Sequence, residues 1–133
     1  MTKVEFYMTE EGNGWLGFRA QGHSDYATHG EDIVCAAVSV LTQTAILGLE
    51  KVLAIDCLVQ ADERDGTMLC LLPDQLSNEE WKQAQLVLDV LHVGLLATEK
   101  EYGKHVSVKE VPYRENESAI FRLKKGWRKH EER

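Results

Sequence analysis

The feature that most restricts this chain is a run of seventeen residues, Ile33 to Leu49, that carries no charge in a protein where 28% of residues are charged. Val34, Val38, Leu41, Ala45, Leu49 and Val52 recur at helical spacing, and Ile33, Ala37, Val40 and Leu47 extend the apolar surface round the cylinder. A helix apolar on nearly every side must be covered on nearly every side. The run also contains Ser39, Thr42, Gln43 and Thr44, and it falls short of the roughly 20 apolar residues needed to span a bilayer. It reads as a core helix with a sheet on one flank and a second subunit on the other, and no membrane is expected.

The segments around it supply the sheet. Val4, Phe6 and Met8 alternate with polar neighbours, as do Leu16, Phe18 and Ala20, across a Glu11-Gly12-Asn13-Gly14 turn. Period-two patterning on both sides of a Gly/Asn turn predicts a β-hairpin. Gly22 to Glu31 follows as a loop, and Asp32 is placed to N-cap the helix starting at Ile33. Ile55, Cys57, Val59 and Ala61, then Met68, Cys70 and Leu72, flank Glu63-Arg64-Asp65-Gly66 as a second hairpin, closed by Pro73. Ser77-Asn78-Glu79-Glu80 is a capping box for a helix to about Tyr102, with Gly103 as its stop, and His105 to Val111 returns to strand. The order is ββ-α-ββ-α-β. That is an α+β, two-layer fold with both helices packed on one mixed or antiparallel sheet.

At 133 residues the chain is one domain, here residues 1–111, followed by a basic, flexible extension over 112–133. Lys and Arg number 15 against 22 Asp and Glu, a net charge of −7 that does not suit a nucleic-acid binder. The balance is uneven: residues 121–133 hold six Lys/Arg and two Asp/Glu, interleaved with Phe121 and Trp127. The bland reading of that tail is a solvated end; the sharper one is contact with RNA or an acidic partner. Three cysteines, Cys35, Cys57 and Cys70, make an odd count without tight spacing, which points to a reducing compartment. The polar, alternating start is no signal peptide, so a cytoplasmic location is expected.

Chemistry concentrates between residues 22 and 39. Cys35 falls in the first turn of a helix capped by Asp32, where unpaired N–H groups favour a thiolate and can stabilise an oxyanion. His23 stands where the second strand ends. A loop folded back over the helix start would bring His23 beside Cys35, the minimum pair for thiolate attack on a carbonyl. Ser39, one turn on, either orients the thiolate and substrate or simply packs. Against this stands a plain alternative, since a cysteine on an apolar helix is more often structural, and Cys57 and Cys70 read as inert core thiols. His23, His29 and Cys35 match no structural zinc spacing, so neither metal nor cofactor is expected. His92 falls within the second helix, where packing is the default.

Gly22-His23-Ser24-Asp25-Tyr26 and Gly30-Glu31-Asp32-Ile33-Val34-Cys35-Ala36-Ala37-Val38-Ser39 together closely resemble the bacterial ribosomal-processing cysteine proteases, the Prp or YsxB-like family. The resemblance extends through about Val111 and excludes the segment after Pro112; Ser24 departs from the more usual alanine. It implies a cytosolic homodimer that removes a short N-terminal extension from a large-subunit ribosomal protein. Carried over, Cys35 is the nucleophile, His23 the acid/base, and Asp32 and Ser39 are supporting residues. Gly22, Ser24, Asp25, Tyr26 and Gly30 then belong to a lid that shapes the site around the peptide. The rival from another class is a non-enzymatic ribosome-associated module with a packed Cys35.

Overall fold

The structure, a computed structural model, describes residues 1–22, 29–62, 64 and 66–112. β1 (Thr2–Met8) and β2 (Trp15–Gln21) form an antiparallel hairpin. Gly12 closes its turn with φ of +72°, a left-handed conformation that favours glycine, while the Thr9 N–H donates to the Gly14 carbonyl at 2.9 Å. α1 (His29–Leu47) passes into a π-helical turn, Gly48–Val52. β3 (Leu58–Asp62) and β4 (Thr67–Leu71) make the second hairpin, α2 (Asn78–Glu101) follows, and β5 (Val106–Pro112) ends the described chain. The sheet order is β3-β4-β2-β1-β5, antiparallel except for the parallel β1–β5 pair. The expected α+β two-layer architecture with a mixed sheet is what the chain forms.

Both helices pack on one face of this sheet. Val4, Phe6, Phe18, Ala20, Cys70, Val106 and Val108 from the strands share a single core with Val34, Val38, Ala45, Ile46 and Leu49 and with Ala84, Leu88, Leu91 and Leu95. The α2 set follows i, i+4, i+7, i+11, one stripe of a helix. Its start is fixed as the sequence predicts: the Glu80 N–H donates to Ser77 Oγ at 3.1 Å and the Ser77 N–H donates to Glu80 Oε1 at 2.9 Å.

α2 is tied to the β1–β2 hairpin by polar bonds as well. Gln85 accepts the Trp15 N–H at 2.7 Å and donates to the Trp15 carbonyl at 2.8 Å, and Trp15 Nε1–H donates to Asp89 at 2.8 Å. The His92 ring lies against Phe6 and Trp15, with centroids at 4.8 and 4.7 Å, and its Nε2 is 2.7 Å from Glu110 on β5. His92 is a packing residue that bridges helix and sheet.

Three local expectations are corrected. A bulge between Tyr7 and Met8 pairs Tyr7 with Gly17 and Met8 with Trp15, leaving Leu16 unpaired. An extra residue flips the alternation, so Trp15 joins the core with Phe18, while Leu16 packs on the other face with Tyr7. Cys57 precedes β3 rather than lying on it, and Val59 and Ala61 are exposed; Leu58 is the buried residue of that strand. α1 begins at His29, not Ile33. Asp32 therefore sits inside the first turn instead of capping it. An acid in the first turn and an acid at the cap both favour the helix dipole, so the two cannot be told apart by residue type. Gly30 costs only about 1 kcal/mol in a helix, too little to stop α1 extending through it.

Asp32–Val52 meets the length and apolarity of a membrane span. One side of it is nevertheless core, through Val34, Val38, Thr42, Ala45, Ile46 and Leu49.

Candidate active site

Gly22 leaves β2 directly against the start of β1. A Cβ built on it would lie 2.4 Å from Thr2 Cα and 2.7 Å from Thr2 Oγ1, so only glycine permits this approach. The same approach positions the strand end over α1: the Gly22 carbonyl oxygen is 3.7 Å from Cys35 Sγ, a distance suited to a weak S–H donor. The strand end and the helix, thirteen residues apart in sequence, thus meet at the thiol. Cys35 is half-buried, where Cys57 and Cys70 are closed off in the core.

The environments of the three thiols differ accordingly. The Cys70 thiol is pushed far up, by its hydrogen bond to Cys57 first and by burial second, and it stays a thiol. Cys35 opens on a cavity of about 310 Å³. α1 supplies one wall through Cys35, Ser39 and Gln43, Gly22 closes the strand end, and Asp62 and Met68 line it from the β3–β4 hairpin. Ser39 Oγ accepts the Gln43 side-chain N–H at 2.9 Å. Ser39 therefore lines the cavity as a hydrogen-bonded polar residue, one turn from the thiol.

His23, Ser24, Asp25 and Tyr26 lie outside the described residues, as does the segment after Pro112. Gly30 falls within α1 rather than in a loop, and Asp32 is exposed one turn before Cys35. Cys35 itself is in the second turn of α1, six residues past His29. The unpaired N–H groups of a helix start lie upstream of that point, and the dipole field fades within the first turn. The expectation that the helix end activates Cys35 and supplies its oxyanion donors does not fit this geometry. Among the described residues no group of three or more His, Cys, Asp or Glu side chains could hold a metal ion.

No sequence motif marks Gln43, Asp62 and Met68 as residues of the site. Gln43 is four residues after Ser39, so helical spacing carries a signal for it. Asp62 and Met68 arrive through the strand order, which no local pattern encodes.

A half-buried thiol on a cavity wall thus touches the residue immediately before His23. Residues 1–107 match the family model of the cysteine protease Prp. The chain belongs to the Prp family of cysteine proteases. It is 30% identical over 95 residues to the ribosomal processing cysteine protease Prp of Bacillus subtilis (strain 168), spanning 71% of this chain and 85% of that one. Its fold superposes on the Prp protease of Staphylococcus aureus solved with a substrate peptide, with a TM-score of 0.73 at 22% identity over 84% of this chain and 100% of the other. The same S. aureus protease with a covalently linked product peptide gives 0.69 at 23% identity over the same shares, 84% and 100%. SMU.848 from Streptococcus mutans gives 0.73 at 24% identity, covering 85% of this chain and 96% of that one. The family match stops short of the basic extension.

Proposed function

We propose that this Prp-family protease removes the N-terminal extension of a large-subunit ribosomal protein, with Cys35 as nucleophile and His23 as acid and base. The observation that carries this reading is the 3.7 Å approach of Cys35 Sγ to the carbonyl of Gly22, the residue immediately before His23, on the wall of a 310 Å³ cavity. The processing role draws support from the B. subtilis relative, which is named for it. The covalently linked product peptide of the S. aureus protease fits an acyl-enzyme route.

In the proposed reaction the Cys35 thiolate attacks the scissile carbonyl carbon, and the C=O electron pair moves to oxygen. As the tetrahedral adduct collapses, the C–N bond breaks and His23 delivers a proton to the departing amine. Water, deprotonated by His23, then attacks the thioester; the thiolate leaves and the peptide ends in a carboxylate. Asp32, on the turn before Cys35, orients the imidazole, and Ser39 with Gln43 holds the peptide in the cavity.

The same reading makes the protein a cytoplasmic homodimer. Val40 and Leu47 on α1, and Leu86, Val90 and Val93 on α2, are half to two-thirds exposed, each about two residues out of phase with its helix's buried stripe. Apolar faces turned away from the sheet suit a second copy. Three free thiols suit a reducing compartment.

Mass spectrometry of the ribosomal protein bearing its extension tests the assignment, using wild type, Cys35→Ala and His23→Ala. One bond cut by wild type and by neither variant is expected. No cut by reduced wild type would refute the reading and favour a ribosome-associated module with a packed Cys35.

A further inference from the structure

A second cavity lies on the sheet face away from the helices. Val4, Phe6, Phe18, Ala20, Val106 and Val108 fill the core on the helix side. Strand alternation therefore turns Lys3 and Glu5 of β1, Arg19 and Gln21 of β2, and Ser107 and Lys109 of β5 to the opposite face. Register sets them in two rows, Gln21–Lys3–Ser107 and Arg19–Glu5–Lys109. Arg19 and Lys109 stand two strand spacings apart, roughly 10 Å, and Lys3 lies on the diagonal from each at about 7–8 Å. Side chains as long as lysine and arginine bring three cationic ends together across such distances. These six residues line a cavity of about 330 Å³.

The charge there runs against the rest of the molecule. Residues 1–112 hold eight Lys and Arg against eighteen Asp and Glu, so three of the eight cations of an acidic body meet at one cavity. Glu5 stands between Arg19 and Lys109 in register, yet neither closes on it. Among the described residues Lys3, Glu5, Arg19 and Lys109 make no ion pair. Arg19 is half-buried as well, where an unpaired guanidinium is most costly. Three cations against one carboxylate leave the cavity positive, and the Gln21 amide and the Ser107 hydroxyl add neutral donors.

We infer that this cavity binds a small phosphate-bearing anion, held by Lys3, Arg19 and Lys109. Size and charge select that class. The volume falls at the small end of ligand pockets, which run from roughly 300 to 1,000 Å³. A long polyanion such as RNA would run off the cavity onto an acidic body that repels it. A compact phosphate group instead takes forked donors from Arg19 and point charges from the two lysines. The inference is independent of the protease reaction, because Cys35 lies on the helix side of the sheet.

Isothermal titration calorimetry of the full chain with inorganic pyrophosphate at low salt tests it. One saturable site is expected. Lys3→Ala and Lys109→Ala, both at exposed positions, should each weaken binding about fivefold or more, as loss of a charge-assisted contact requires. Glu5→Gln should tighten it, because the carboxylate between the cations opposes an anion. Lys82→Ala, exposed on α2, removes the same charge elsewhere and should leave the affinity unchanged. No saturable binding, an equal loss in Lys82→Ala, or no gain in Glu5→Gln would each overturn the site. Tighter binding of polyuridylate than of pyrophosphate would overturn the small-anion class.

Discussion

Gly22→Ala tests whether the close approach of β2 to β1 positions the reacting groups. The added Cβ would lie 2.4 Å from Thr2 Cα, against 3.4 Å for the shortest ordinary contact, so one of the two must move by 1.0 Å. Thr2 is poorly placed to yield. It is 5% exposed, pairs with Val106, and its N–H donates to the His105 carbonyl at 2.8 Å. The displacement therefore falls on Gly22, on its contact with Cys35 and on His23 beyond it. A misplacement of about 1 Å at a reacting centre lowers rate on the order of 100-fold, or about 2.7 kcal/mol. Strain of this kind lowers stability by about 1–3 kcal/mol, which leaves a folded protein to measure. Steady-state cleavage of a peptide carrying the extension should show the loss in kcat, with KM nearly unchanged, since orientation rather than binding is altered. Gly94→Ala is the matched control: its Cβ meets nothing within 4 Å on α2. It should raise stability by about 1 kcal/mol without touching the kinetics. A folded Gly22→Ala protein that cleaves within a few-fold of wild type would refute the positioning argument.

Other consequences can be checked on the same protein. Gln85→Ala strips partners from both the N–H and the carbonyl of Trp15, and urea unfolding should show a loss of about 2 kcal/mol. Ser77→Ala removes a cap and should lower stability by about 1 kcal/mol, seen as a melting shift of about 4 °C. Hydrogen bonds from the Ser77 backbone and then its side chain hold the Glu80 carboxyl below its ordinary value. A carboxyl depressed on folding stabilises above its unfolded pKa, and that stabilisation is lost as pH falls through the folded value. Wild type should therefore exceed Glu80→Gln in stability at neutral pH, and the difference should vanish on acid titration. Intact-mass measurement after alkylation of the native protein should find one modified thiol, Cys35, from neutral to mildly alkaline pH; modification of Cys70 would contradict its burial.

The element order was legible because its boundaries carry local chemistry: Gly12 in a left-handed turn, the reciprocal Ser77–Glu80 bonds that start α2, and Gly103 just past its end. What escaped was set by partners far along the chain. The bulge that exchanges Leu16 for Trp15 in the core is supported by Gln85 and Asp89, seventy or more residues away. The parallel pairing of β5 with β1 was likewise invisible, as no residue on either strand announces its neighbour. At the site, the type and order of Cys35 and Ser39 were legible, and their cavity partners were not. Asp62 and Met68 reach it only because β4 lies beside β2.

The start of α1 at His29 changes what must activate Cys35. Had the helix begun at Ile33, its unpaired N–H groups would have faced the sulfur and favoured the thiolate unaided. One turn further in, that field has faded, and among the described residues the polar atom recorded at the sulfur is the Gly22 carbonyl oxygen. A carbonyl accepts a hydrogen bond from the thiol and gives nothing to its anion. On the proposed reading, the group that activates Cys35 is then the imidazole of His23, next in the chain. His23→Ala should then slow alkylation of Cys35 at neutral pH by at least tenfold. Equal alkylation rates at neutral pH would show that the histidine does not activate the thiol.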